Sequence, residues 1–200
     1  MKLILAFALP EEVVPATFPG WDVTTVVTGI SKPYAAARLA RAIADHRPDL
    51  VINVGSSGSS RMVKPSVEVG DILVCDTFID RDLQRQQFTS VKPQVSTATP
   101  FSKGFPSEVA SLGGQVAKTF AANTGDDFVT ADTPFDGQVV DMESFADALV
   151  CQTFGVPFFA VKYVTDIIGE NSMEIWEERL AHAREALTEY FTRCSLPVTL

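Results

Sequence analysis

The sequence predicts an α/β domain in which helices pack against a sheet of buried strands. Short apolar runs rich in β-branched and aromatic residues recur along the chain, as in strands that are buried on both faces of a sheet. Stretches with helical periodicity lie between several of these runs. Carboxylates or small polar residues follow many of the runs, and open α/β sheets bind ligands outside the carboxyl ends of their strands. These observations predict the fold class and place a ligand site at the strand ends.

The length and charge of the chain limit its organisation and its partners. A chain of 200 residues suffices for one α/β domain that buries about 70% of its unfolded surface, so we expect residues 1–200 to form a single domain. Acidic residues outnumber basic ones by 25 to 16, and the net charge is -9. Because no basic run stands out, the composition argues against a nucleic-acid or membrane-surface partner and favours a small molecule.

Cysteine and histidine usage argues against a zinc site. The cysteines lie far apart without C-x-x-C spacing, and the histidines do not supply a usual ligand pattern. These residues are Cys75, Cys151, Cys194, His46 and His182. Free cysteines fit a reducing compartment, so we expect a cytoplasmic protein.

The N-terminal run MKLILAFALP is predicted to form a first strand at residues 3–9. Two glutamates follow it at once and no clear cleavage site appears, which argues against a signal peptide. Pro10 fits the first position of a helix or turn that carries Glu11 and Glu12. No apolar segment approaches the ~18 residues needed to span a bilayer.

Three more strands and one helix are predicted in the first half of the chain. The strands cover residues 23–28, 50–54 and 72–76, and an alanine-rich helix at 35–44 follows the first of them. The Gly/Ser stretch at 55–60 is predicted to be a loop that either cradles a polar ligand or is an ordinary connection. It lacks the lysine of a phosphate-binding P-loop.

The middle of the chain is predicted to be a long loop followed by a helix. Residues 80–106 are polar and aperiodic, which is typical of a functional or mobile loop. Its aromatic residues Phe88, Phe101 and Phe105 either cover a ligand or pack against a second subunit. Helical spacing of apolar residues then predicts a helix at 107–122.

Two carboxylates mark the ends of the next structural unit. Met142 and Glu143 lead into a helical pattern, and an apolar strand at 157–164 ends at Thr165 and Asp166. An acid at the carboxyl end of a strand is a catalytic candidate. The structural alternative stays open, because acids near a helix start favour the helix dipole and acids after strands are common turn residues.

A last amphipathic helix is predicted at 172–190. Trp176 falls within it, and we expect this side chain to pack in the core rather than to belong to a site.

Six short motifs occur in an order that resembles a known superfamily. They are A-L-P-E-E-V near the start, N-V-G-S-S-G at 53–58, V-G-D-I-L-V at 69–74, G-D-D-F-V at 125–129, D-M-E-S at 141–144 and T-D at 165–166. Together they span nearly the whole chain. The sequence resembles the nucleoside phosphorylase and nucleosidase superfamily, and within it the 5'-methylthioadenosine/S-adenosylhomocysteine nucleosidases.

The resemblance implies a fold and a reaction. The fold is a three-layer α/β/α sandwich with a central mixed, partly closed β-sheet. The reaction is hydrolysis of the N-ribosidic bond of a 5'-substituted adenosine, which releases adenine without a metal or an organic cofactor. The resemblance also implies a homodimer in which the loop at 80–106 completes the pocket of the neighbouring subunit.

The resemblance assigns roles to residues on both sides of the bond. Asp166 resembles the acid that contacts purine N7 and the exocyclic amino group, and Thr165 stands where the family usually has Ser. Glu143 and Met142 resemble the pair that holds the ribose.

Four other positions resemble the water and base sites. Glu12 resembles the acid/base that orders the attacking water, and Ser56 resembles the polar residue beside it. Phe128 and Val129 match the positions that frame the base.

The chemistry of the bond explains why acids are needed. Cleavage puts positive charge on the ribose and negative charge on the purine, so a proton donor near N7 and ionised carboxylates near the ribose and the water lower the barrier. To hold a proton at pH 7, Asp166 needs a pKa ~3 units above the usual 3.9 for Asp, which requires a desolvated site.

Single residues of the sequence bear on three alternative functions. Phosphorolysis needs a cation for phosphate, but Asn53 stands where phosphorylases of the superfamily commonly have Arg. Futalosine hydrolases share features like Gly169 and Trp176 but incline to Asn at the position of Asp166, which favours adenine here. Lys162 replaces the usual Arg of the nucleosidases, and this departure leaves a non-catalytic nucleoside-binding protein as a further alternative.

Overall fold

A single mixed sheet organises the protein. The computed structural model describes residues 1–86, 90–131, 134–170 and 173–198. Within these ranges the sheet contains β1 (Lys2–Phe7), β2 (Asp22–Val27), β3 (Leu50–Ser59), β4 (Ile72–Asp80), β5 (Gln94–Ser96), β6 (Ser107–Val109), β7 (Gly114–Val116), β8 (Phe120–Thr124), β9 (Val139–Asp141) and β10 (Phe158–Ile167). The helices are α1 (Lys32–His46), α2 (Arg81–Gln86), α3 (Ser144–Phe154) and α4 (Met173–Arg193), and short 3-10 turns cover Pro10–Glu12, Pro100–Gly104 and Ala110–Leu112.

Five strands close into a ring. Strand β10 lies parallel to β3 and antiparallel to β4. Strand β4 pairs in parallel with β8, β8 with β9, and β9 returns antiparallel to β3. Strands β1 and β2 continue the sheet from β3 as a parallel extension. The sheet is therefore mixed and partly closed, as the resemblance implied.

Helices cover the two faces of this sheet and create two cores. Buried residues of α1 and α3 pack on one face, among them Leu39, Ile43 and Phe145. Buried residues of α4 pack on the other face, among them Leu187 and Phe191. The three-layer α/β/α sandwich is thus confirmed. No helix in the described ranges is both long enough and apolar enough to cross a membrane.

The Gly/Ser stretch is not the loop that the sequence predicted. Strand β3 continues through it to Ser59 and pairs with β10 and β9 along this part. The prediction was wrong because small polar residues are typical of loops, whereas here neighbouring side chains come close to the backbone. A Cβ atom on Gly58 would lie 3.0 Å from Asp166 Oδ2 and 3.1 Å from Val140 Cγ2.

The predicted helix at 107–122 is also wrong. This segment forms β6, β7 and β8 with a 3-10 turn between the first two. Gly113 and Gly114 have φ angles of 85° and 104°, which an α-helix does not allow. Gly114 therefore begins the return strand β7. Of the apolar residues that suggested a helix, Val109 and Phe120 are buried in strands, whereas Leu112 is exposed in the 3-10 turn.

Regular structure also interrupts the predicted loop at 80–106. Helix α2, β5 and a 3-10 turn occupy parts of it. Phe101 and Phe105 are buried in the core beneath α4, where Phe105 stacks edge-on against Phe159 with ring centroids 5.0 Å apart. The prediction that they cover a ligand or a second subunit was wrong, since the core of the same chain buries them. Phe88 lies outside the described residues, as does position 172, the predicted start of the last helix.

Candidate active site

A cavity of about 210 Å³ lies at the carboxyl ends of β3 and β10. It brings together every predicted site residue except Thr165, which is buried behind it. The predicted residues that line the cavity are Glu12, Ser56, Phe128, Val129, Met142, Glu143 and Asp166. Residues from distant parts of the sequence thus share one site.

Three neutral donors hold the carboxylate of Glu12. Its Oε1 accepts hydrogen bonds from the backbone N–H of Ser56 at 2.9 Å and from the Ser56 hydroxyl at 2.7 Å. Its Oε2 accepts from the backbone N–H of Leu9 at 3.2 Å. Gly55 makes room for this arrangement, because a Cβ there would lie 3.2 Å from Oε1. The Pro10–Glu12 turn and the extended β3 strand together fix the orientation of Glu12.

Glu143 precedes the first residue of α3 and turns its side chain into the cavity. Its Oε1 accepts from the backbone N–H of Ser31 at 3.0 Å. Burial raises the pKa of Glu143 to about 8, and the nearby Asp141 carboxylate adds to this effect while Lys162 opposes it. This raised pKa shifts Glu143 towards its protonated form.

Lys162 and Asp141 form a buried ion pair on the cavity wall. The Lys162 Nζ lies 2.7 Å from Asp141 Oδ2, and the Thr124 hydroxyl donates to Asp141 Oδ1 at 2.6 Å. Burial alone would raise the pKa of Asp141, but the ammonium outweighs it and the pKa lies below its ordinary value. Burial alone would lower the pKa of Lys162, but Asp141 and Glu143 raise it. Both groups are therefore ionised at neutral pH.

Asp166 and Thr165 lie inside the last part of β10 rather than after the strand. The register with β3 shifts between Val164 and Asp166, and Asp166 then pairs with Gly58. The Thr165 hydroxyl lies 2.7 Å from Asp166 Oδ1 and 3.1 Å from the carbonyl oxygen of Ser57. Only 2% of the Asp166 surface is exposed, so this acid sits in the desolvated position that its predicted role requires.

The structure places Trp176 in the site, and the prediction that it belongs to the core was wrong. It lines the cavity, and its indole N–H donates to the Ser56 hydroxyl at 3.0 Å. Its ring meets Phe128 edge to face, with centroids 6.4 Å apart. Amphipathic spacing could not reveal this role, because the residue lies near the start of α4, where the helix reaches the cavity.

Sequence reasoning also missed the partner of Asn53. The Asn53 Nδ2 donates to Asp147 Oδ2 at 2.8 Å, and both side chains are buried. Among the described residues, Asn53 Oδ1 and Asp147 Oδ1 have no hydrogen-bond partner. Burial raises the pKa of Asp147 to about 7, although the Asn53 hydrogen bond opposes this shift. No sequence pattern indicated Asp147, because it lies among the apolar residues of α3.

The fold and the site define a class of protein. An α/β sandwich with a cavity at the carboxyl ends of its strands, bordered by buried acids from separate elements, is an enzyme for acid–base chemistry on a small molecule.

Comparison with known proteins gives the family. Residues 12–195 match the phosphorylase superfamily. The 5'-methylthioadenosine/S-adenosylhomocysteine nucleosidase of Anoxybacillus flavithermus is 32% identical over 190 residues, which cover 84% of this chain and 77% of that protein. The chain therefore belongs to the phosphorylase superfamily and, within it, to the 5'-methylthioadenosine/S-adenosylhomocysteine nucleosidases. This confirms the resemblance of the sequence motifs and the expectation of a purine nucleosidase.

Solved structures share the fold. The Helicobacter pylori 5'-methylthioadenosine/S-adenosylhomocysteine nucleosidase with butyl-thio-DADMe-Immucillin-A has a TM-score of 0.78 at 18% identity, over 96% of both chains. The futalosine hydrolase of the same species has a TM-score of 0.78 at 19% identity, also over 96% of both chains. At such identities the likeness concerns the architecture alone.

Proposed function

We propose that this protein hydrolyses the N-ribosidic bond of a 5'-substituted adenosine of the methylthioadenosine or S-adenosylhomocysteine type and releases adenine. One observation supports the proposal most directly. Glu12, Glu143 and Asp166 come from three separate parts of the sequence, yet all three line one cavity. A purine riboside needs acid and base groups at the base, the sugar and the water, and these residues meet that need.

The proposed roles follow from the charge that develops in the reaction. Asp166 donates a proton to purine N7, with Thr165 orienting its carboxyl group. Glu12 takes a proton from the attacking water, and the Ser56 hydroxyl holds it in place. Phe128 and Val129 frame the base.

The ribose is held by Glu143 and Met142 in this proposal. Glu143 stabilises the cationic sugar once its carboxylate is ionised. Because the pKa of Glu143 is raised to about 8, ribose hydroxyls that donate to the carboxylate are expected to favour its ionised form on binding. Each role falls to a side chain of this chain, so the proposed reaction uses no metal and no organic cofactor.

The charges of the cavity favour hydrolysis over phosphorolysis. Phosphate needs a cation that is free to bind it. In the described part of the cavity wall the cations are Lys162 and Arg81, and each is paired with a carboxylate. Asn53 adds no charge. Product analysis with and without inorganic phosphate tests this point, since hydrolysis of a 5'-substituted adenosine yields the 5-substituted ribose with a free anomeric hydroxyl, whereas phosphorolysis yields the 5-substituted ribose 1-phosphate.

A nucleoside panel tests the main proposal. Purified protein is incubated with 5'-methylthioadenosine, S-adenosylhomocysteine, futalosine, adenosine and inosine, and the free base is identified by chromatography. We expect adenine from the 5'-substituted adenosines, and a rate that falls about 10²- to 10⁴-fold in Asp166→Asn. The exposed Asp45 on α1 gives the matched control Asp45→Asn, which should keep the wild-type rate.

The other outcomes of this panel distinguish the alternatives. Hypoxanthine from futalosine, with no adenine released, would identify a futalosine hydrolase. This alternative is supported by Trp176, which resembles a residue of the futalosine hydrolases and lines the cavity. Binding by calorimetry without turnover, unchanged in Asp166→Asn, would identify a non-catalytic nucleoside-binding protein. Either result would overturn the main proposal.

The remaining features of the proposal concern the whole protein. We infer that residues 1–200 act as a single nucleosidase domain, that two copies form a homodimer, and that the enzyme works in the cytoplasm in methionine salvage. Light scattering after size-exclusion chromatography tests the dimer, for which the expected mass is twice the 21.7 kDa of one chain.

A further inference from the structure

Three side chains on separate elements form a hydrogen-bonded series beside the proposed water site. The indole N–H of Trp176 on α4 donates to the Ser56 hydroxyl at 3.0 Å. The Ser56 hydroxyl on β3 lies 2.7 Å from Oε1 of Glu12, which belongs to the 3-10 turn after β1. Helix α4 also contacts this turn directly. The series links the helix that covers one face of the sheet to the proposed catalytic base.

The direction of the two hydrogen bonds is fixed by their chemistry. An indole N–H can only donate, and an ionised carboxylate can only accept. Ser56 has one hydroxyl proton, and that hydroxyl accepts from Trp176. The proton must therefore point at Glu12, and donation from Trp176 polarises the hydroxyl and strengthens its bond to the carboxylate.

This arrangement distinguishes the two oxygens of Glu12. The Oε1 atom accepts two hydrogen bonds, both from Ser56, which occupy its two acceptor positions. Among the described residues, Oε2 accepts one longer bond, from the backbone N–H of Leu9 at 3.2 Å. Oε2 therefore keeps an acceptor position for a proton from water.

From this geometry we propose that Trp176 is a positioning residue for Glu12. Its indole N–H acts through the Ser56 hydroxyl to hold Oε1 and to leave Oε2 as the basic atom. The inference rests on the proposed function, because it assigns Glu12 the task of taking the proton from water. The edge-to-face contact of Trp176 with Phe128 is a separate packing role, and it does not require the indole N–H.

A double-mutant cycle separates the hydrogen bond from the packing. Trp176→Phe keeps an aromatic ring and removes the N–H donor, and Ser56→Ala removes the relay. We expect Trp176→Phe to lower kcat about tenfold with little change in KM, which is the typical loss for one hydrogen bond. In the Ser56→Ala background the same substitution should change kcat less than twofold, because its route to Glu12 is already absent.

Trp21 supplies the matched control. It is the other tryptophan of the chain, and its indole N–H donates to the carbonyl oxygen of Pro197 at 2.9 Å, away from the cavity. Trp21→Phe should leave kcat and KM at wild-type values at a temperature where the protein is folded. Equal losses of kcat in the wild-type and Ser56→Ala backgrounds, or a change in KM alone, would overturn the positioning role.

A spectroscopic measurement tests the hydrogen bond without any turnover. The ¹H–¹⁵N spectrum should contain two indole signals, and the one that remains in Trp21→Phe belongs to Trp176. In Ser56→Ala the Trp176 indole signal should move upfield, and the Trp21 signal should stay in place. A Trp176 signal that does not move would show that the hydrogen bond to Ser56 is not formed and would contradict the positioning role. A wild-type protein that releases no base from any nucleoside would instead refute the proposed function, so the two failures are distinguishable.

Discussion

Two buried carboxylates on the same cavity are held in opposite ways. Glu12 accepts hydrogen bonds from a hydroxyl and two backbone N–H groups, all of them neutral. Asp141 faces the ammonium group of Lys162 at 2.7 Å. Both residues are less than 10% exposed, at 6% and 8%, so their different partners, rather than their access to water, distinguish them.

This difference is the one expected between a reactive carboxylate and a structural one. Neutral donors stabilise Glu12 without cancelling its negative charge, so it can still attract a proton. Lys162 cancels the charge of Asp141 and links β10 to β9, two strands that do not pair with each other. We therefore expect changes at Glu12 to affect catalysis and changes at Lys162 to affect folding.

The largest expected effect follows from neutralising Glu12. Glu12→Gln keeps the size of the side chain and removes its basicity, so kcat should fall about 10²- to 10⁴-fold. The thermal unfolding midpoint should fall only slightly, because the amide oxygen still accepts both hydrogen bonds from Ser56 and only the longer bond from the Leu9 N–H is lost. Steady-state kinetics and thermal scans measure the two effects. Glu11→Gln alters the exposed neighbour in the same turn and should keep full activity; a Glu12→Gln variant as active as this control would remove Glu12 from the mechanism.

The second prediction concerns the ion pair. Lys162→Met removes the ammonium and leaves Asp141 as an unpaired buried charge, which should lower the free energy of unfolding by about 3–5 kcal/mol. Urea denaturation followed by circular dichroism measures the loss. The double variant Lys162→Met/Asp141→Asn removes both charges and should recover most of it. A double variant as unstable as the single one would mean that packing around Lys162, rather than charge pairing, stabilises this region.

The sequence was sufficient to predict that Glu12, Glu143 and Asp166 lie together in one site. Each of these acids stands near the end of an apolar run or the start of a helical pattern, and the structure has a strand or helix at each of these places. The resemblance then joined them into one site, and all three line the cavity. Local pattern and family motif agreed at these positions.

The ion pair and the other structural contacts around the cavity join segments that are far apart in the sequence. Lys162 was visible as a charge in an apolar strand, but no local pattern pairs it with Asp141. Asp147 lies between apolar residues of α3, and its partner Asn53 lies 94 positions earlier on β3. The strand character of 55–59 likewise depends on pairing with β9 and β10, which single-sequence periodicity cannot detect.

The last prediction concerns a third buried carboxylate, Asp147, which has neither a cation nor a full set of donors. The pKa of Asp147 is raised to about 7 by burial, whereas an Asp in the unfolded chain has a pKa of about 3.9. Between these values the folded protein keeps a proton that the unfolded chain releases, so this group makes stability fall as the pH rises from about 4 to about 7. Asp147→Asn does not titrate, and its amide can both accept from Asn53 Nδ2 and donate to the unpaired Asn53 Oδ1.

Asp147→Asn should therefore be more stable than the wild type by about 4 kcal/mol at pH 8, with the two proteins closely matched at pH 4. Urea denaturation at intervals between these pH values measures the difference in the free energy of unfolding. Because Glu143 also has a raised pKa, each protein alone loses stability over an overlapping range, but this contribution is common to both and cancels in the difference. A difference that is constant with pH would show that Asp147 is already ionised in the folded protein at low pH, so that Asn53 alone stabilises its buried charge as the neutral donors stabilise that of Glu12.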